Sequence, residues 1–183
     1  MADSAIYLMN KSTTTCKPTK IVMVNGTIEY RLNNKLHRTD GPAIEKKDGH
    51  LTWYKAWYIN DELHRTDGPA VEYAIGDRYW FLNDRYHRTD GPAVEYHNGD
   101  KEWWVNGELH RTNGPAVEFA SGHKEWRIYG RLHRTDGPAI ECVDGTKEWW
   151  VNGEKITAAN HELFQYKFPE LINQFLVHIT LNS

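Results

Sequence analysis

A chain of 183 residues is long enough for one domain with its own core, and 22 Lys and Arg against 25 Asp and Glu leave a formal charge of -3. That balance excludes a global basic field drawing the protein to nucleic acid or anionic lipid, so any anion-binding surface has to be local. Cys16 and Cys142 lie too far apart for a Cys-x-x-Cys metal site or a disulfide framework, and suit reduced thiols in a cytoplasmic protein.

In chain order, residues 1–21 form an N-terminal segment without the basic stretch and apolar run of a signal peptide. No apolar run anywhere is long enough to cross a bilayer, so no membrane insertion is expected. From residue 22 to 155 one unit recurs. The heptapeptide His-Arg-Thr-Asp-Gly-Pro-Ala starts at His37, His64, His87 and His133, and at His110 with Asn113 in place of Asp. Successive copies start 27, 23, 23 and 23 residues apart. A fixed period of this kind marks a repeat architecture, and five equal copies read as a building unit.

After each heptapeptide come an apolar residue and Glu, a turn containing Gly, an aromatic-rich segment and a second turn, which together predict a two-stranded hairpin per unit. The turns at Asp48-Gly49, Asn98-Gly99 and Asp144-Gly145 have the chemistry of two-residue hairpin loops. Residues 23–37 read as an incomplete first unit and residues 141–155 as a last unit without its His, making six hairpins and twelve strands. The four additional residues of the unit after His37 fit a longer hairpin tip at residues 46–57.

Alternation predicts the faces. Tyr30, Trp57, Trp80, Trp103, Trp126 and Trp149 stand two residues before Leu32, Ile59, Leu82, Val105, Ile128 and Val151, so both columns share one face, the expected core. Between them Arg31, Tyr58, Phe81, Trp104, Arg127 and Trp150 are expected toward solvent or a partner. On the other strand Ile44, Val71, Val94, Val117 and Ile140 alternate with Glu45, Glu72, Glu95, Glu118 and Glu141, which places the glutamates opposite the core.

After Glu154 the period stops. Pro169 suits the first turn of a second helix, and Leu171, Ile172, Phe175, Leu176 and Ile179 make a helical stripe. Residues 156–183 are therefore expected to cap the stack, with the stripe a candidate surface for homo-oligomerisation or target docking.

The segments "WVNGELH" at 104–110 and "WVNGEK" at 150–155 resemble the MORN repeat, a hairpin unit with a W-x-N-G-x-x-H signature. Where MORN units have Gly after His, this chain has Arg-Thr-Asp-Gly-Pro, and the whole unit is similar to "LHRxDGPA" repeats of phage and giant-virus proteins. The resemblance implies an elongated antiparallel β-hairpin sheet, a viral origin, no enzymatic activity and no cofactor. It further implies a scaffold that binds a partner protein, in the sharpest version a phage inhibitor of a host or defence protein, acting in the host cytoplasm.

The heptapeptide has ordinary structural uses. Asp or Asn suits a turn before Gly, Pro suits the start of a strand, and Arg can pair with the glutamate column. The rival reading takes the pairs His37-Arg38, His64-Arg65, His87-Arg88, His110-Arg111 and His133-Arg134 as a stripe for a nucleotide or single-stranded nucleic acid. Tyr58, Phe81, Trp104 and Trp150 would then supply stacking or partner contacts. No metal set and no hydrolase, metalloprotease or phosphate-loop motif is present, and five equal His/Asp copies are unlike a single irregular catalytic constellation.

Overall fold

The protein, described by a computed structural model over residues 17–46 and 54–181, is built on one long antiparallel sheet. Cys16, the earlier part of the N-terminal segment and the tip with Gly49 lie outside the described residues. Twelve strands follow one another along the sheet from Thr19–Val22 to Lys147–Glu148, and a thirteenth, Lys35–Leu36, pairs beside Ile28–Leu32. At the usual strand spacing twelve strands extend for about 50 Å. The sheet opens at Thr19, three residues before the repeat boundary expected at residue 22.

The unit from Lys101 to Phe119 shows how the sequence makes this sheet. Lys101–Glu102 pairs on one side with Val94–Glu95 and on the other with Val117–Glu118. The chain then runs through Trp103 into Trp104–Val105, which leaves the long sheet and forms a ribbon with Glu108–Leu109. Each full unit thus has four short strands rather than two. Two-residue loops close these ribbons, where the sequence predicts a second turn: Asn106 and Gly107 have φ of 53° and 85°, and the pairs from Asn33-Asn34 to Asn152-Gly153 are likewise positive at both positions. Both central residues of such a turn need positive φ, which Asn and Gly tolerate.

At the other turns the expectation is corrected. Tyr96 and Asp100 bracket a three-residue loop in which the Gly99 N–H donates to Tyr96 O at 3.0 Å and only Gly99 has positive φ. Asn98 keeps an ordinary φ, so the loop is a right-handed turn closed by a glycine bulge.

Register also corrects the faces. Residues directly opposite in an antiparallel sheet share a face. Val94 stands opposite Tyr79 and Glu102, while Glu95 stands opposite Arg78 and Lys101. The valine column therefore shares its face with Tyr58, Phe81 and Trp104, and the Glu45-to-Glu141 column shares the tryptophan face instead of opposing it. Across ten strands that column completes an alternating ladder of Glu45, Lys55, Glu72, Arg78, Glu95, Lys101, Glu118, Lys124, Glu141 and Lys147.

Burial is greatest under the loops. Ala43, Ala70, Ala93, Ala116 and Ala139 are 0% exposed, and Val71, Val94 and Val117 are buried. The tryptophans are only half-buried until Trp149, which is 3% exposed. Trp149 lies beneath the C-terminal cap, where a short helix α1, Glu162–Gln165, leads into α2, Pro169–Leu181. Leu171, Ile172 and Phe175 of α2 pack on Trp149, Val151 and Ile156, with Leu176 and Ile179 at the margin. The cap is also tied to the last loop by Gln174 Nε2, which donates to Asp136 O at 3.3 Å.

Candidate binding surfaces

The heptapeptide loop lies on the tryptophan face and has the same construction in every copy. The Arg88 guanidinium sits 4.1 Å from the Trp80 ring centroid, and Arg38, Arg65, Arg111 and Arg134 lie at 3.8 to 4.0 Å from Tyr30, Trp57, Trp103 and Trp126. Arg88 Nε donates to Asp90 Oδ1 at 2.8 Å, and Nη1 donates to Pro92 O at 3.1 Å and Glu95 Oε1 at 3.2 Å. The expected pairing of arginine with glutamate is therefore made within each unit.

The glycine of the loop explains itself by proximity. A Cβ on Gly91 would stand 2.8 Å from Arg88 Cζ, and the other four copies give 2.8 to 2.9 Å. Gly91 leaves room for a guanidinium layered between backbone and indole.

The histidines link units. The Nδ1 atoms of His110 and His133 accept backbone N–H groups from Tyr129 and Asn152 of the next ribbon turn at 3.2 and 3.1 Å, which leaves their ring proton on Nε2. His37 and His87 Nδ1 meet both the backbone N–H and the side-chain Oδ1 of Asn60 and Asn106, the Oδ1 at 2.9 Å. In the remaining copy, His64 Nδ1 lies 2.7 Å from Asn83 Oδ1 of the next turn.

These contacts decide which charges the loops present. The five arginine side chains are only 19 to 23% exposed, whereas Asp40, Asp67, Asp90 and Asp136 are 81 to 83% exposed. Hydrogen bonds from their arginines hold the carboxyls of Asp40, Asp67 and Asp90 below the usual range. The accessible charge along the loops is therefore carboxylate.

The opposite face carries rings. Tyr54–Tyr73, Tyr73–Tyr79 and Tyr79–Tyr96 have centroids 5.6, 5.8 and 6.0 Å apart. The band continues as Phe81–Tyr86 at 4.2 Å and Tyr86–Trp104 at 5.3 Å. Burial, then the nearby charge of Asp77, pushes the Tyr79 hydroxyl well above its ordinary range. Beyond Trp104 the face turns polar. Trp104 Nε1 donates to Glu102 at 2.7 Å, Arg127 Nε to Glu125 at 2.7 Å and Trp150 Nε1 to Glu148 at 2.8 Å. Glu125 is pushed up by burial, but hydrogen bonds from Arg127 and His123 outweigh this and bring it below the usual carboxylate range.

Of the candidates named from sequence, Tyr58, Phe81, Trp104 and Trp150 share this face, and the His-Arg pairs line the other. The proposed tail interface faces inward: Leu171 and Ile172 are 0% exposed and Phe175 5%, all against the last unit. Tyr54, Tyr73, Tyr79 and Tyr96, not singled out from the sequence, complete the ring band. The signal for them was their strand parity with the buried valines. No protein-family model matches the sequence, and no curated protein matches it.

Proposed function

We propose that the protein is a non-enzymatic repeat scaffold that binds a partner protein through the valine and aromatic face of its sheet. The observation that carries this reading is the ring band from Tyr54 to Trp104, half-exposed along the valine face of the sheet. Rings of this kind offer large, rigid contact area at low entropic cost. The five heptapeptides support binding over chemistry, because their arginines have repeated structural duties and their histidines face the next unit's turn. The likeness of the loops to phage and giant-virus repeats supports the narrower reading of a viral inhibitor that occupies a host or defence protein in the host cytoplasm.

The test is affinity capture from host lysate with three baits: wild type, a Tyr58→Ser/Phe81→Ser/Trp104→Ser variant, and a loop variant, Asp67→Asn/Asp90→Asn. One protein held by wild type and the loop variant, and lost by the ring variant while that variant retains a folded circular dichroism spectrum, is the expected result. Retention by the ring variant removes this face from the function.

A further inference from the structure

Successive heptapeptide loops leave hollows between them on the tryptophan face. The hollow between the loops of Arg65 and Arg88 has a volume of 580 Å³ and is lined by Trp80 and Leu82. One neighbour, lined by Trp57 and Ile59, measures 590 Å³, and the other, lined by Trp103 and Val105, 320 Å³. They recur once per unit, so their pitch is two strand spacings, about 9.6 Å.

Each hollow pairs an apolar lining with an acidic rim. Arg38, Arg65 and Arg88 at the rim are each answered by two carboxylates of their own unit, as Arg88 is by Asp90 and Glu95, and Arg111 by Glu118. The aspartates are the exposed members, at 81 to 83%. A cation on an aliphatic stem fits this combination, with methylenes against Leu82 and the charged head at Asp67 or Asp90. His110 lines the row, and with Nδ1 engaged as acceptor it has an Nε2–H to give to a carbonyl oxygen.

The pitch selects the backbone of the ligand. A β-strand returns a side chain to one face every ~6.7 Å and falls out of step at the first unit. A polyproline II helix has three residues per turn at ~3.1 Å each, so one edge presents a side chain every ~9.3 Å. Its carbonyls make no internal hydrogen bonds and are free to accept from loop donors. We propose that the row of hollows takes a proline-rich segment in the polyproline II conformation with Lys or Arg at every third residue. This site lies on the face opposite the ring band and stands or falls separately from it.

The experiment is fluorescence anisotropy of the full chain with a labelled peptide of four Pro-Pro-Arg triplets. Three controls are a peptide with Glu for Arg, one with the same four arginines at alternate positions, and a single-stranded oligonucleotide. Saturable binding of the triplet peptide, at least tenfold tighter than of the alternate-spaced peptide and at least tenfold weaker to Asp67→Asn/Asp90→Asn, is expected. The substitution keeps the fold, because Asn113 already occupies this position and accepts from Arg111 Nε at 3.4 Å. The ring variant Tyr58→Ser/Phe81→Ser/Trp104→Ser should bind the peptide as wild type does. Equal binding of the two arginine spacings, insensitivity to the Asn variant, tighter binding of the oligonucleotide or Glu peptide, or no binding at all would overturn the proposal.

Discussion

Replacing Gly91 by Ala tests whether the loop glycine exists to seat the arginine. Gly91 lies outside the left-handed region, so Ala meets no backbone strain there. Its Cβ would instead stand 2.8 Å from Arg88 Cζ and 3.0 Å from Nε and Nη2. The guanidinium is a flexible end, but it is pinned by Trp80, Pro92 O and Glu95, and it must leave all three to make room. A cation–π contact at a partly exposed site contributes about 0.5–1 kcal/mol, a hydrogen bond from a charged donor about 1.5 and the glutamate pair about 0.2–1. Gly91→Ala should therefore cost about 2–3 kcal/mol, close to the cost of Arg88→Ala. In an Arg88→Ala background it should be neutral or stabilise by about 0.4–1 kcal/mol, since only the restriction of the unfolded chain remains. The assay is a double-mutant cycle from urea unfolding curves with matched slopes. Equal cost of Gly91→Ala in both backgrounds would refute the seating argument and return the glycine to a role in turn geometry.

Trp149→Ala should cost about 3–5 kcal/mol and Trp103→Ala about half of that, because Trp149 is 3% exposed beneath α2 and Trp103 is half-covered by Arg111; equal costs by urea unfolding would contradict this burial gradient. Tyr129→Asn should stabilise by about 0.5–1 kcal/mol, since a tyrosine holds φ of 47° where all five other ribbon turns have Asn at the first positive-φ position; a lower melting temperature would show that the ring stack of Tyr129 on His110 at 4.3 Å outweighs the strain. Because Asp40, Asp67 and Asp90 have folded values below their unfolded ones, their contribution is present above about pH 4 and is lost as pH falls through the folded values; the urea midpoint should drop between about pH 5 and 3, and less steeply in Asp67→Asn/Asp90→Asn. Deleting residues 157–183 should lower the melting temperature and bare Trp149 and Val151 to an apolar dye; unchanged melting would deny the tail its role as a cap.

The period, the ribbon turns and the helical stripe were legible because each is local. Asn-Gly at 106–107 needs no partner to declare a turn, and Leu171 to Ile179 declare a buried helical face by spacing alone. What sequence withheld was phase. Alternation says that Val94 and Glu95 point to opposite sides, and that Trp103 and Trp104 do. Only the register of Val94 on Glu102, set by the geometry of the loop between the strands, says that Val94 goes with Trp104 and Glu95 with Trp103. The expected arrangement joined the two most hydrophobic columns on one face, which is sound for a two-layer fold. Here each face of the sheet has its own cover, and on the tryptophan side the loop supplies it with arginine. The stacking was invisible for the same reason: Arg88 and Trp80 stand eight residues apart, and only the fold of the loop brings them together.

A sheet of this kind has a specific difficulty, because strands with mostly two paired residues have little in their backbones to fix which neighbour they choose. The charge ladder answers it. Each Glu–Lys or Glu–Arg neighbour across the strands is exposed or half-buried and contributes little by itself. Misalignment, however, sets like charges side by side or carries a glutamate to the ring face, and the penalty is repeated at every unit. The links between units act in the same direction. Asp100 Oδ1 accepts the Ala120 N–H at 2.7 Å, and Asp84 Oδ1 accepts the Leu63 N–H at 2.7 Å, each joining a turn of one unit to the backbone of its neighbour. A partner that binds the ring face therefore meets a surface whose column spacing is fixed from the opposite side of the sheet, by residues it never touches.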